Sequence, residues 1–182
     1  MSANRLRQAD FELPLTDPLA RLPAAAGLRV HRALQAEIDA LEAAALVAVR
    51  LDPGFEVLTT IKGVGPILAL TIMLETGDIG RFAQVGDYAS YCRLAKAEKL
   101  SNGKRKGAGN RRCGNKYLLW AYSEAAHFAV RWQPEARRCY ERKQAKTNGI
   151  VAIRALAHKL ARASYYMLKE QKPFEVSRLF AH

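Results

Sequence analysis

Ile61-Lys62-Gly63-Val64-Gly65-Pro66, set between Phe55-Glu56-Val57-Leu58-Thr59 and Ile67-Leu68-Ala69-Leu70-Thr71-Ile72-Met73-Leu74, is the stretch on which the fold turns. It reads as a short helix, a tight glycine turn and a second helix. A Gly-x-Gly pair lets the backbone reverse without Cβ clashes. Pro66 suits the first turn of a helix, where a missing N–H costs nothing. Gly77 is available as a left-handed C-cap, and Asp87 to cap a further helix running to about Leu94.

Upstream, residues 1–23 carry Pro14, Pro18 and Pro23 and read as an irregular lead-in. Leu28, Leu34, Ile38, Leu41, Leu46 and Val49 then recur near helical spacing, until Asp52-Pro53-Gly54 stops the pattern. A helix over 24–50 makes about seven turns. It is long enough to pair with a second copy of itself, but lacks a strict heptad, so packing on its own domain stays open. Downstream, residues 95–114 lose apolar periodicity and read as a long loop. Helical patterning returns over Asn115–Trp132, Pro134–Lys146 and Asn148–Glu170, with Pro173 beyond. No segment alternates with period two for long. The expected fold is all-α: a lead-in at 1–23, a linker helix at 24–52, and a domain at 53–182 holding the helix-hairpin-helix-like element, the basic Gly-rich loop and three longer helices.

The 182 residues suit one domain with an appendage, and a 49% hydrophobic content supports a core. No apolar run approaches the roughly 18 to 20 residues of a membrane span, so no membrane partner is expected. The N-terminus lacks an apolar export segment, and three unpaired cysteines suit a reducing, cytoplasmic setting. The net charge is +12 and is unevenly placed. Residues 1–98 hold 10 basic and 12 acidic side chains, whereas 99–182 hold 19 and 5, net +14. That asymmetry points to nucleic acid, through steering and counterion release.

Two constellations could meet a phosphate backbone. The turn offers Lys62, Gly63 and Gly65 beside a helix N-terminus, whose N–H groups favour anions; an ordinary inter-helix turn is the plain alternative. Residues 99–116 contain Lys99, Lys104, Arg105, Lys106, Arg111, Arg112 and Lys116 with no carboxylate, threaded with glycines and with Asn102, Asn110 and Asn115. Glycine exposes backbone N–H groups and amides add neutral hydrogen bonds. Ser101 is the hydroxyl of this segment, flanked by Lys99 and Lys104. Nearby cations would stabilise its alkoxide as a nucleophile on phosphorus, though serine beside Asn-Gly also serves simply as a turn residue. The histidines and cysteines lack zinc spacing, and no dense acidic cluster suggests a two-metal site; no cofactor is expected in this chain.

In order along the chain, Thr60–Phe82, Tyr88-Ala-Ser-Tyr91, Leu100-Ser-Asn-Gly-Lys104, Gly114-Asn-Lys-Tyr-Leu118, Ala145-Lys-Thr-Asn148 and Ala155-Leu-Ala-His-Lys-Leu160 resemble the C-terminal domain of the IS-one-ten family of insertion-sequence transposases. The resemblance covers about residues 28–180. It implies DNA transposition, with Ser101 in the position of the serine that attacks DNA. It also implies a structured guide RNA, an oligomer or an assembly with full-length transposase, and Mg²⁺ held by an N-terminal RuvC-like domain with DEDD acids. That domain is not found in these residues, so the chain reads as a fragment, inactive alone. Leu94-Ala-Lys-Ala97 departs from the Gly-containing apolar lead expected before the serine. The alternative is a non-catalytic nucleic-acid-binding module, a remnant or decoy of the transposase.

Overall fold

A computed structural model describes residues 17–49, 52–95, 98–101, 104–108 and 113–180. The chain divides into two compact units between Val47 and Ala48. Most of helix α1 (Pro18–Val49, 32 residues) forms the first; at 1.5 Å per residue it is about 48 Å long. It begins six residues before Ala24, so residues 18–23, expected as part of an irregular lead-in, are helical; residues 1–16 lie outside the described residues. The reason is local. Asp17 caps the helix, accepting from Leu19 N on Oδ1 (2.9 Å) and from the Ala20 and Arg21 N–H groups on its carbonyl, while Pro18 occupies a position that needs no N–H. Pro23, inside the helix, removes one main-chain bond that the long helix tolerates.

The second unit runs α2 (Pro53–Thr59), α3 (Pro66–Thr76), a 3-10 turn (Ile79–Arg81), α4 (Val85–Tyr91), β1 (Glu98–Ser101), β2 (Lys104–Ala108), α5 (Lys116–Trp132), α6 (Pro134–Lys146), α7 (Gly149–Glu170) and α8 (Val176–Phe180). The class is all-α, as the periodicity implies. Helix starts carry the expected caps. Asp52 Oδ1 accepts from Gly54 N (2.7 Å) and Asn148 Oδ1 from Val151 N (2.9 Å). Gln84, rather than Asp87, is the N-cap of α4; Asp87 sits three residues in and accepts from Gln84 N. Helix α7 is central and packs against α2, α4, α5 and α6. Its buried Leu156, Ala157, Leu160 and Ala161 meet a core to which α5 adds Ala121, Ala125, Ala126 and Ala129. Alanine on these faces lets helix backbones approach closely.

The segment read as an irregular basic loop holds a β-hairpin instead. Strands β1 and β2 pair antiparallel, with Glu98 opposite Ala108, Lys99 opposite Gly107, Leu100 opposite Arg105 and Ser101 opposite Lys104. The register shifts between Lys99 and Leu100, leaving Lys106 as the extra residue of β2; such bulges re-aim strands. The two residues between the paired ends are Asn102-Gly103, the dipeptide favoured in two-residue hairpins. The strands lack the β-branched and aromatic residues by which strands are recognised, so the pattern gives no warning of them.

Candidate nucleic-acid interface

The residues that flank the hairpin segment on either side are held at the C-terminal end of α4. On the entering side, Leu94 N and Ala95 N both donate to the Ala89 carbonyl (3.0 and 3.2 Å). Arg93 takes a left-handed conformation (φ 57°), and Arg154 donates to its carbonyl over 2.8 Å. On the returning side, Asn115 N donates to the Tyr91 carbonyl (2.6 Å), and Arg93 Nε reaches the Gly114 carbonyl (2.8 Å). Gly114 has φ 96°, and a Cβ there would collide with the Tyr91 carbonyl oxygen. Only glycine fits.

Asn115 has a structural task at this point. Its Oδ1 caps α5 by accepting from Tyr117 N (2.8 Å) and Leu118 N (3.1 Å); its Nδ2 donates to Glu75 (2.5 Å) and to the Tyr91 hydroxyl (3.4 Å). The side chain expected to position a strand is thus committed to joining α3, α4 and α5. The Asn115 bond, followed by the neighbouring Arg81, holds the Tyr91 hydroxyl below its ordinary pKa. The Arg81 guanidinium lies 4.6 Å from the ring centres of both Phe82 and Tyr91.

Beneath this pedestal lies a buried hydroxyl chain. Tyr88 Oη is 2.9 Å from Thr76 Oγ1 and 2.7 Å from Tyr122 Oη, linking α3, α4 and α5. Burial drives both tyrosine pKa values well upward, so both stay neutral hydrogen-bonding groups. Burial likewise pushes the Cys92 thiol up to about 12. A satisfied internal network of this kind fixes one arrangement of helices.

The glycine turn is built against α5. Gly63 has φ 110°, and a Cβ there would lie 2.7 Å from both the Ala125 carbonyl oxygen and the Ala129 nitrogen. Gly65 differs: it is the N-cap of α3, has no side-chain capping bond, and nothing lies within 4 Å of where its Cβ would be. Lys62, just before Gly63, is exposed. One glycine is needed for packing; the other leaves a helix N-terminus open.

Of the other expected residues, Ser101 ends β1 and Lys104, Arg105 and Lys106 lie on β2. Asn102, Asn110, Arg111 and Arg112 lie outside the described residues. Lys116 is exposed as the first residue of α5, where the helix dipole disfavours a cation and the first turn holds no acidic residue. The periodicity reading missed an exposed aromatic row on α5: Tyr117, Trp120, Phe128 and Trp132. Its signal was available, because Leu118, Ala121, Tyr122, Ala125, Ala126 and Ala129 already fill the core face. A cavity of about 510 Å³ between α7 and residues 172–179, lined partly by His158, Arg162, Tyr166 and Phe174, includes none of the expected site residues. Among the described residues, no three His, Cys, Asp or Glu side chains come together as metal ligands. No helix among them is long and apolar enough to cross a membrane.

Residues 55–141 match the model of the transposase IS116/IS110/IS902 family, so this segment of the chain is similar to that family. The "Insertion element IS110 uncharacterized 43.6 kDa protein" of Streptomyces coelicolor is 33% identical over 147 residues. Those residues are 80% of this chain but 34% of that protein, so the chain spans about a third of its relative.

Proposed function

We propose that this chain works in DNA transposition as the domain that grips the DNA backbone and supplies Ser101 as nucleophile. The observation that carries the reading is the position of Ser101, opposite Lys104 at the end of a hairpin whose flanking residues on either side are bonded to α4. In the reaction, Ser101 Oγ attacks phosphorus. An Oγ–P bond forms as the bond from phosphorus to a sugar oxygen breaks, the serine proton passes to water, and the leaving oxygen takes up a proton. Lys104, Arg105, Lys106, Arg111, Arg112 and Lys116 would neutralise the strand, with Asn102 and Asn110 hydrogen bonding along it. The open N-terminus of α3, with Gly65 and Lys62, suits a second phosphate contact.

The partners proposed with it are DNA, a structured guide RNA, and other transposase copies. The exposed Leu34, Ile38 and Leu41 on α1 support self-association of that helix. Mg²⁺ is proposed to be held by an acidic domain of the assembled transposase. Two measurements test the reading. Affinity for element-end DNA should fall linearly in log–log against salt, with a slope of about −0.9 per phosphate neutralised; a flat curve overturns nucleic-acid binding. With full-length transposase present, a denaturation-resistant adduct between this chain and DNA should form and vanish in Ser101→Ala. An adduct that survives the substitution assigns a nucleophile other than Ser101; no adduct with either protein leaves the non-catalytic module.

A further inference from the structure

We propose that the outward face of α5 is a stacking platform for unpaired bases of a single nucleic-acid strand; this rests on the nucleic-acid reading above and narrows its ligand. Tyr117, Trp120, Phe128 and Trp132 are 51%, 49%, 44% and 62% exposed. They run along one side of the helix over 15 residues, about 22 Å at 1.5 Å per residue. The core of α5 is filled by a separate set of buried residues, Leu118, Ala121, Tyr122, Ala125, Ala126 and Ala129, on the adjoining face of the helix. Four large rings left in water on one 17-residue helix form a patch of the kind that marks a binding surface.

Charge decides the occupant. Lys116 Nζ lies 4.9 Å from the Tyr117 ring centre, and Arg131 Cζ lies 5.1 Å from that of Trp132. Cations therefore sit beside the rings at both ends of the row, with Glu124 as the single carboxylate of α5 between them. Bases present π-faces to aromatic rings, and the phosphates that follow each base need cations. A duplex offers only its phosphates, because its base faces are closed in the stack. Asn115, which caps this helix, is bonded to Tyr91 at the end of α4, so the face begins directly after the segment that carries the hairpin.

The chain has two tryptophans, Trp120 and Trp132, and both lie in the row, so intrinsic fluorescence reports on it directly. The protein is titrated with oligo(dT), oligo(U) and a duplex, each of about 20 nucleotides, a length that exceeds typical single-strand site sizes. Tryptophan emission and the anisotropy of labelled nucleic acid are followed together. Single strands should quench emission about twofold or more, and duplex should leave it nearly unchanged, as stacking requires. Quenching by oligo(dT) or oligo(U) alone assigns the strand as DNA or RNA. The double variant Trp120→Ala, Trp132→Ala should bind single strands at least about tenfold more weakly, at a duplex affinity within about twofold of the parent.

Equal quenching by duplex, or unchanged single-strand affinity in the double variant, overturns the platform. So does self-association of the parent that the double variant loses, which would assign the face to a second copy. Salt-sensitive binding without quenching overturns the platform while leaving the nucleic-acid reading standing. No binding to any of the three overturns both.

Discussion

Asn115 rests on Tyr91: its backbone N–H donates to the Tyr91 carbonyl over 2.6 Å, and its side-chain amide reaches the Tyr91 hydroxyl. The last residue of one helix thereby holds the first cap of another, 24 residues away in sequence. The serine hairpin lies within this interval in sequence.

Gly114→Ala should cost about 2 kcal/mol or more, combining left-handed strain with a collision at the Tyr91 carbonyl. Asn115→Ala should cost about 1 kcal/mol for the lost cap. Urea unfolding followed by circular dichroism measures both. A Gly114→Ala protein as stable as the parent would contradict this docking of the returning strand.

The two turn glycines should separate cleanly. Gly63→Ala forces a Cβ against the Ala125 and Ala129 backbone at positive φ and should lose about 3 kcal/mol. Gly65→Ala meets open space and should stay within about 0.5 kcal/mol of the parent. Thermal melts of the pair suffice; similar losses in both would refute the assignment.

Thiol labelling in the native protein should modify exposed Cys113 quickly and part-buried Cys139 more slowly, leaving Cys92 untouched. Burial keeps the Cys92 thiol protonated up to about 12, and the thiolate is the reactive form. Labelling at pH 8 followed by peptide mass mapping reads this directly. Cys92 modified as fast as Cys113 without denaturant would show that it is not enclosed.

His158 is held below its ordinary pKa, first by burial and then by the Arg162 charge. Its unfolded form therefore binds a proton at higher pH than its folded form. Its contribution to stability is full above the unfolded value of about 6.5 and declines as pH falls toward the folded value. His158→Gln should flatten stability against pH between about 7 and 5 relative to the parent. An unchanged slope would mean that other groups set it.

Much of this architecture is legible along the chain. Asp52, Pro53, Pro66 and Asn148 act within a turn of themselves, so helix starts follow from spacing. Two starts differ from the spacing: α1 begins earlier because Asp17 caps it despite the nearby prolines, and Gln84 rather than Asp87 caps α4. The hairpin escaped for the opposite reason. Glu98-Lys-Leu-Ser and Lys-Arg-Lys-Gly-Ala have no apolar face, and their one strong cue, Asn102-Gly103, reads equally well as a loop turn. The site was half legible: cations and a lone serine are visible as composition. That Asn115 belongs to the scaffold is not, because Glu75 and Tyr91 come from other helices.

The amino-acid sequence by itself determined the helical class, the caps, the concentration of positive charge after residue 98 and the ordered motifs of the family. These depend on composition or on neighbours within about one helical turn. Tertiary structure alone decided that Gly63 is there for Ala125 and Ala129, that Gly114 clears the Tyr91 carbonyl, and that four aromatic rings of α5 face water. Each of those depends on a backbone or face brought close from far along the chain, and no local spacing encodes which face the core will cover.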